Sequence, residues 1–248
     1  MEEHYNKVLL NFGQKILLIL MALKKSLTTE QVCAHLQLKA NGQKNLKQNK
    51  KFIYLISPNK IIDVNFYNDL ALVLSSKKIS FFQLRLKKET NSNKLIIGKK
   101  IKKICNKYKV KFLINDNPQL AKKLNADGCH LGQKDMDLIK ARKILKNKII
   151  GVTCHNSINL AKQAIEDGAD YLAFGAFYAT KTKMAKNRAN INVLKSIKKI
   201  TSLPIVAIGG IKLSNYKKLL LNKANFLAIS GYIWNNKKYK PLEAIKKL

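Results

Sequence analysis

Short apolar runs rich in β-branched and aromatic residues recur from residue 51 to the end of the chain, and each is followed by a longer stretch with helical spacing. This alternation predicts strands and helices in turn. Eight β units alternating with helices over about 200 residues favour a closed (β/α)₈ TIM barrel over a doubly wound open sheet. We predict the strands at residues 52–56, 79–84, 111–114, 128–131, 149–152, 171–174, 205–208 and 226–229.

The front of the chain has a different pattern. Residues 5–25 are leucine-rich and predicted to be helical, and the polar run NGQKNLKQNKK that ends at residue 51 is typical of a linker. We therefore divide the chain into a helical N-terminal extension with its linker, residues 1–48, and the barrel, residues 49–248. Apolar residues are too dense in the first helix for a solvated arm, so we expect it to pack on the barrel or on a second copy in a homo-oligomer.

The charge is strongly positive, with 48 Lys plus Arg against 14 Asp plus Glu and a formal net charge of +34. Nearly all of the excess is lysine spread along the whole chain, since the arginines number only three, Arg85, Arg142 and Arg188. Base readout and bidentate phosphate contacts favour arginine. We therefore interpret the charge as a solvated basic surface and expect no specific nucleic-acid partner.

Cysteine usage and hydropathy bear on the compartment. Cys33, Cys105, Cys129 and Cys154 form no CxxC pair, which is typical of reduced thiols in a cytosolic protein. The longest apolar run, residues 16–23, is much shorter than the roughly 20 residues that a membrane span needs. The start MEEHYNK lacks the basic region of a secretory signal. We predict a cytoplasmic protein with no membrane partner.

Two aspartates follow neighbouring predicted strands. Asp116 comes after the third strand and Asp135 after the fourth, at the barrel face where catalytic groups gather. Carboxylate oxygens are the ligands that Mg²⁺ prefers, so the pair could bind one magnesium ion. Taken singly, each aspartate is better explained as a helix cap, because Asp116 precedes Pro118 and Asp135 precedes MDLIKARK. The surrounding residues decide between the two interpretations.

Basic side chains follow the second and sixth strands. In QLRLK, the residues Gln83, Arg85 and Lys87 alternate, so their side chains share one face. A barrel strand that turns Arg and Lys inward needs an anion. Lys183 closes the loop GAFYATKTK after the sixth strand and is a candidate for a further positive charge. These residues favour magnesium binding over capping for the two aspartates.

A second candidate anion site follows the seventh and eighth strands. The segments IVAIGG and AISG place glycines where barrel loops commonly bind a phosphate through backbone N–H groups. The sequence therefore predicts two anion sites on one face. The basic, metal-assisted site suits a diphosphate, and the glycine-lined site suits a monophosphate.

The motifs together match a known family. The segments QLRLK, FLINDNPQLAKKLNADGCHLGQKD, IIGVTCHN, GADYLAFGAFYATKTK, LPIVAIGGI and AIS, in this order, resemble the thiamine phosphate synthase family over about residues 52–248. The resemblance implies a magnesium-dependent (β/α)₈ barrel. It also implies condensation of 4-amino-2-methyl-5-hydroxymethylpyrimidine diphosphate with 4-methyl-5-(2-phosphoethyl)thiazole, in its carboxylated form, to give thiamine phosphate and diphosphate.

The resemblance also implies roles for individual residues. It makes Arg85, Lys87 and Lys183 the catalytic residues and Asp116 and Asp135 the magnesium ligands. The residues that would contact the pyrimidine diphosphate are Gln83, Arg85, Lys87, Asn115, Thr153, in place of the family's usual serine, and Lys183. Those that match the thiazole phosphate site are Thr180, Lys181, Thr182, Gly210, Ile229 and Ser230.

The mechanism that the resemblance implies is dissociative. Diphosphate leaves, a pyrimidine methylene cation forms, and the thiazole nitrogen captures it, so no general base or protein nucleophile is needed. The family's loop after the sixth strand usually carries two prolines, whereas this chain has Ala176 and Ala179 there. We therefore expect weaker thiazole binding.

Three alternatives remain open at this stage. A related thiazole tautomerase shares the fold and a histidine at the position of His155. A zinc site could draw on Cys129, His130, Cys154 and His155, although strand alternation turns at most one residue of each Cys-His pair inward. A barrel that lost its activity and binds polyanions is the third.

Overall fold

The barrel closes through pairing of the last strand with the first. The computed structural model describes residues 51–61, 64–179 and 188–248, so the predicted extension at residues 1–48 lies outside them. All strands are parallel and pair in chain order, and Ile53 pairs with Leu227 across the closure. The predicted (β/α)₈ TIM barrel is confirmed. The strands are β1 Ile53–Ile56, β2 Ile79–Leu84, β3 Lys111–Asn115, β4 Gly128–Leu131, β5 Ile149–His155, β6 Tyr171–Gly175, β7 Ile205–Ile208 and β8 Phe226–Ile229.

Helices follow the strands on the outside. Four of them begin at a side chain that accepts a hydrogen bond from the backbone N–H three residues later: Thr90, Asn117, Asp137 and Ser157. Among the described residues, none of the helices could serve as a membrane span. The helices are α1 Asn65–Ser75, α2 Asn91–Lys107, α3 Pro118–Lys123, α4 Leu138–Leu145, α5 Ile158–Glu166, α6 Asn192–Lys198, α7 Tyr216–Leu221, α8 Gly231–Trp234 and α9 Pro241–Lys247.

Strand alternation separates two cores. Side chains such as Phe82 and Phe112 point outward and pack beneath the helices in the larger, outer core. The inner core fills the barrel with Tyr54, Leu113 and Tyr171, among others. Because the interior is packed with side chains, ligands have access at the carboxyl ends of the strands rather than through the barrel.

The sequence located all eight strands, but the predicted end of β5 was wrong. We predicted that this strand ends at residue 152, and it continues to His155, with a shift in its register against β6 between Thr153 and His155. A local irregularity of this kind adds residues to one strand without a hydrophobic signal. Thr153 therefore lies within a strand, which fixes its backbone more firmly than a loop would.

Candidate active site

Neither aspartate of the predicted metal pair caps a helix. Asn117 is the cap of α3, and Asp137 is the cap of α4. The interpretation of Asp116 and Asp135 as helix caps is therefore wrong, and in each case the true cap lies one or two residues further along the chain. Both carboxylates are left available for another function.

The backbone brings the two carboxylates together. Asp116 has a left-handed φ of 63°, and its N–H donates to the carbonyl oxygen of His130 at the end of β4 (2.8 Å). Asp135 accepts a hydrogen bond from the N–H of Gly132 through Oδ2 (2.8 Å). Burial raises the pKa of Asp135, the neighbouring Asp116 carboxyl raises it further, and Lys87 opposes the shift. A second carboxylate close enough to raise the pKa of Asp135 concentrates negative charge, and this suits the pair to a cation.

The polar side chains of QLRLK lie on a common face. Leu84 and Leu86 are buried in the outer core. Gln83, Arg85 and Lys87 therefore face the other way, as the alternation predicts. The Nε2 of the buried Gln83 donates to Oδ1 of the neighbouring strand's last residue (3.1 Å). That neighbour is Asn115, so two predicted substrate-binding residues contact each other directly.

Lys87 links the basic segment to the carboxylates. Its Nζ lies 3.1 Å from Oδ2 of Asp116, and the side chains are 54% and 24% exposed, respectively. An ion pair this open to solvent contributes little to stability. Its importance lies in placing a cation and an anion at the mouth of the same site.

A serine at the end of β1 positions Arg85. The Oγ of Ser57 accepts a hydrogen bond from the Arg85 N–H (2.9 Å). The guanidinium donates to Oδ1 of Asn59 at 3.4 Å. Across the barrel closure, the hydroxyl of Ser230 donates to the carbonyl oxygen of Ser57 (3.0 Å). The ends of β8, β1 and β2 are thereby joined, so Ser230 also helps to hold the segment that carries Arg85.

Thr153 ends a buried chain of hydrogen bonds that the sequence did not reveal. Its hydroxyl lies 2.8 Å from Nε2 of His130, and Nδ1 of that ring lies 2.7 Å from the hydroxyl of Tyr171. The Tyr171 hydroxyl lies 2.8 Å from that of Tyr54. Burial lowers the pKa of His130 to about 4, with the nearby Asp116 raising it and Arg85 lowering it. The ring is therefore neutral at neutral pH.

The glycines after β7 are needed for close packing of two loops. Gly209 and Gly210 have φ angles of 104° and 63°. A Cβ at Gly209 would collide with Ala176, and one at Gly210 would collide with the carbonyl oxygen of Ala179. These glycines let the segment after β6 lie directly against the end of β7. Ile229 ends β8 and is buried, whereas Thr180, Lys181, Thr182 and Lys183 lie outside the described residues.

The Cys-His pairs do not form a metal site. Cys129 and Cys154 are buried in the outer core, while the ring of His130 faces the barrel interior. Within the described ranges, no group of three or more His, Cys, Asp or Glu residues could hold a metal ion. This arrangement does not support the zinc alternative.

A cavity of about 530 Å³ adjoins the Lys87–Asp116 pair. It lies between the segments that follow β2 and β3, and its volume falls in the range of small-molecule sites. Its lining is half apolar and half polar or charged: Leu84, Leu86, Lys87, Lys94, Ile114, Asn115, Asp116, Asn117, Pro118, Gln119, Leu120 and Met136.

Basic side chains, paired carboxylates and glycine loops at the carboxyl ends of the strands define a (β/α)₈-barrel enzyme for phosphorylated substrates. The chain belongs to the thiamine monophosphate synthase family, whose model matches residues 53–233. A thiamine-phosphate synthase from Pelagibacter ubique (strain HTCC1062) is 90% identical over 205 residues, which cover 83% of this chain and 99% of that protein. One from Hyphomonas neptunium is 42% identical over 190 residues, covering 74% and 86%, respectively.

Solved structures agree with this family. Thiamine phosphate pyrophosphorylase from Pyrococcus furiosus superposes with a TM-score of 0.71 at 26% identity, covering 81% of this chain and 94% of that one. A 3-hexulose-6-phosphate synthase from Salmonella typhimurium has a TM-score of 0.59 at 17% identity over 79% and 95%, which shows the shared fold alone. The family, the barrel and the assignment to the transferases of thiamine biosynthesis are confirmed.

Proposed function

We propose that the chain condenses the pyrimidine diphosphate with the thiazole phosphate to give thiamine phosphate and diphosphate. The observation that carries the proposal is the convergence of Lys87, Asp116 and Asp135 at the ends of three neighbouring strands, β2, β3 and β4. Arg85 joins them on the same face as Lys87. The site thus combines carboxylates that would bind a metal ion with basic side chains that would contact the diphosphate.

Asp116 and Asp135 fit a magnesium ion. Their carboxylates are hard oxygen ligands, neither is used as a helix cap, and burial together with the nearby Asp116 raises the pKa of Asp135. When bound, magnesium would supply positive charge to the oxygens of the diphosphate. Lys87 balances part of the negative charge of the pair from a distance of 3.1 Å.

The residues of this chain stabilise the diphosphate as it leaves. The C–O bond between the pyrimidine methylene and the diphosphate breaks, and the electron pair stays on the diphosphate. The thiazole nitrogen then bonds to the methylene, and the carboxyl group of the carboxylated thiazole leaves as CO₂. Arg85 and Lys87 supply positive charge where the negative charge increases, with Lys183 as a further contributor. Gln83 and Asn115 hold the pyrimidine side. Preorganised charge is a large part of catalysis in a reaction of this kind.

The thiazole phosphate would bind at the ends of β7 and β8. Gly210, Ile229 and Ser230 come from these strand ends, and Thr180, Lys181 and Thr182 complete the proposed set. Gly210 supports this role because its lack of a side chain keeps the loops after β6 and β7 in contact. The hydroxyl of Ser230 donates to the Ser57 carbonyl, so its proton is used within the protein.

The test is product formation by the purified full-length chain. Both phosphorylated substrates are supplied with and without Mg²⁺, and thiamine phosphate and diphosphate are measured separately. We expect the two products in equal amounts and only in the presence of Mg²⁺. Isomerisation of the thiazole without thiamine phosphate, or salt-sensitive RNA binding without turnover, would contradict the proposal.

A further inference from the structure

A line of four hydrogen-bonded side chains crosses the barrel interior to the substrate side. It runs from Tyr54 through Tyr171 and His130 to Thr153, with spacings of 2.8, 2.7 and 2.8 Å. The first three residues are 2%, 3% and 9% exposed. Thr153 is only half-buried and forms the end nearest the proposed substrates. With a neutral His130 ring, the hydrogen bonds along this buried line are all donated in the same direction, because each hydroxyl has only one hydrogen to donate.

One direction pairs every donor. The Tyr54 hydroxyl donates to the oxygen of Tyr171, and the Tyr171 hydroxyl donates to Nδ1 of His130. The ring then carries its proton on Nε2 and donates it to the oxygen of Thr153. In this arrangement the hydrogen of the Thr153 hydroxyl stays available outside the line.

The opposite direction leaves a buried donor unpaired. If Thr153 donates to Nε2, the ring proton sits on Nδ1 and is donated to Tyr171, which must donate to Tyr54. A doubly protonated ring has the same effect, because it also donates to Tyr171. In both cases the Tyr54 hydroxyl hydrogen needs a further acceptor.

The surroundings of Tyr54 offer no such acceptor among the described residues. Within them, the hydrogen-bond partner of its hydroxyl is Tyr171. Its ring packs against that of Phe81, with centroids 5.4 Å apart, and edge-on against those of Tyr171 at 5.8 Å and His130 at 6.5 Å. Leaving a buried hydroxyl without a partner is costly, so the first direction is favoured.

We infer that Tyr54, Tyr171 and His130 are positioning residues that hold the Thr153 hydroxyl as a hydrogen-bond donor to the bound substrate. The backbone of Thr153 is held as well, since Nε2 of Gln133 donates to its carbonyl oxygen at 2.6 Å. The site thus selects an acceptor at this point, such as a diphosphate oxygen or an unprotonated ring nitrogen. The identity of that acceptor rests on the proposed function, whereas the direction of the line does not.

The direction is measured by nuclear magnetic resonance without substrate. The full-length protein is labelled with ¹⁵N-histidine, and long-range ¹H–¹⁵N correlations report which ring nitrogen carries the proton. The resonances of His130 are those that disappear in His130→Gln. We expect the Nε2–H tautomer at neutral pH. A proton on Nδ1, or on both nitrogens, overturns the inference whether or not the protein makes thiamine phosphate.

A double-mutant cycle tests the positioning role in turnover. Tyr171→Phe removes the donor to Nδ1, and we expect kcat to fall by about tenfold, the size of one lost hydrogen bond. In a Thr153→Val background the same change should lower kcat by less than about twofold, because no hydroxyl remains to be positioned. Equal losses in both backgrounds overturn the positioning role. Thr153→Ser should restore the coupling with Tyr171, and circular dichroism verifies that each variant is folded.

Discussion

The ammonium group of Lys87 lies 3.1 Å from the carboxylate of Asp116, across the gap between the ends of β2 and β3. Lys87 is 54% exposed, so the pair resembles a surface ion pair in its small effect on folding. Its location beside the second carboxylate gives it a different role. In the proposed function it holds a positive charge in place before the diphosphate arrives, and it offsets part of the negative charge of the two aspartates.

Replacing Lys87 should therefore lower activity without lowering stability. We expect Lys87→Met to reduce kcat/KM by about 10²-fold, the typical effect of losing one preorganised charged contact. The thermal unfolding midpoint should change little. The matched control is Lys88→Met, which removes the next lysine in the chain, an exposed one in the same turn, and leaves the Lys87–Asp116 ion pair in place. Equal losses of activity in the two variants would show that the overall charge matters and the position does not.

The two aspartates should differ from their neighbour Asp137. Asp116→Asn and Asp135→Asn each remove a negative charge from the proposed magnesium site, and we expect a loss of about 10²-fold or more in kcat. Asp137→Asn removes a charge only two residues from Asp135 but keeps a good helix cap, because asparagine caps as well as aspartate. Its activity should stay close to that of the wild type.

Magnesium titration separates binding from catalysis in these aspartate variants. Half-maximal activity should need more Mg²⁺ in Asp116→Asn and in Asp135→Asn than in the wild type. Asp137→Asn should keep the wild-type requirement. An unchanged requirement in all three variants would argue against a metal site at these carboxylates.

His130 should make the stability of the protein depend on pH. Burial lowers its pKa to about 4 in the folded protein, whereas an unfolded histidine has a pKa of about 6.5. Between these values the unfolded chain binds a proton that the folded chain does not. The contribution of neutral His130 to the free energy of unfolding is therefore fully present above the pKa of the unfolded histidine and is lost as the pH falls toward 4.

The expected loss from this residue is about 2 kcal/mol between pH 7 and pH 5. It is measured by equilibrium urea unfolding of the wild type and of His130→Gln at both pH values. The free energy of unfolding should fall less in the variant, by about that amount. The same fall in both proteins would mean that His130 does not titrate differently on unfolding.

Gly210 should tolerate substitution worse than Gly168, although both have positive φ angles, 63° and 88°. A Cβ at Gly168 meets nothing within 4 Å, so Gly168→Ala costs only the backbone strain, about 1–2 kcal/mol. A Cβ at Gly210 collides with the backbone of Ala179. We expect Gly210→Ala to cost about 1–3 kcal/mol more, measured by urea unfolding. Equal losses of unfolding free energy in the two variants would show that the loops after β6 and β7 can move apart at little cost.

The strands could be predicted because they are apolar on both faces. A run such as FLAI in β8 packs inward on the barrel and outward under helices, and this double burial leaves a strong signal in one sequence. The end of β5 could not be predicted in the same way. Thr153 and His155 are polar, and the shift in register that keeps them in the strand depends on the neighbouring strand β6.

The candidate site, like the strands, could be predicted only in part from the sequence. Asp116 and Asp135 could be proposed from their positions after two strands, but only the structure assigns the caps to Asn117 and Asp137. The contact between Tyr54 and Tyr171 joins residues 117 positions apart. Tyrosines in strands are common core residues, so composition and spacing give no sign that these two share a hydrogen bond.

Closure of the barrel by β8 against β1 has a consequence for synthesis on the ribosome. β3 and β4, with the residues that follow them, leave the exit tunnel long before Phe226–Ile229 does. Until that last strand emerges, β1 and β7 each have a free edge, and free edges invite association with other chains. The nascent chain therefore contains Asp116 and Asp135 well before its barrel can close. The emergence of β8 ends the period in which association with other chains is most favoured.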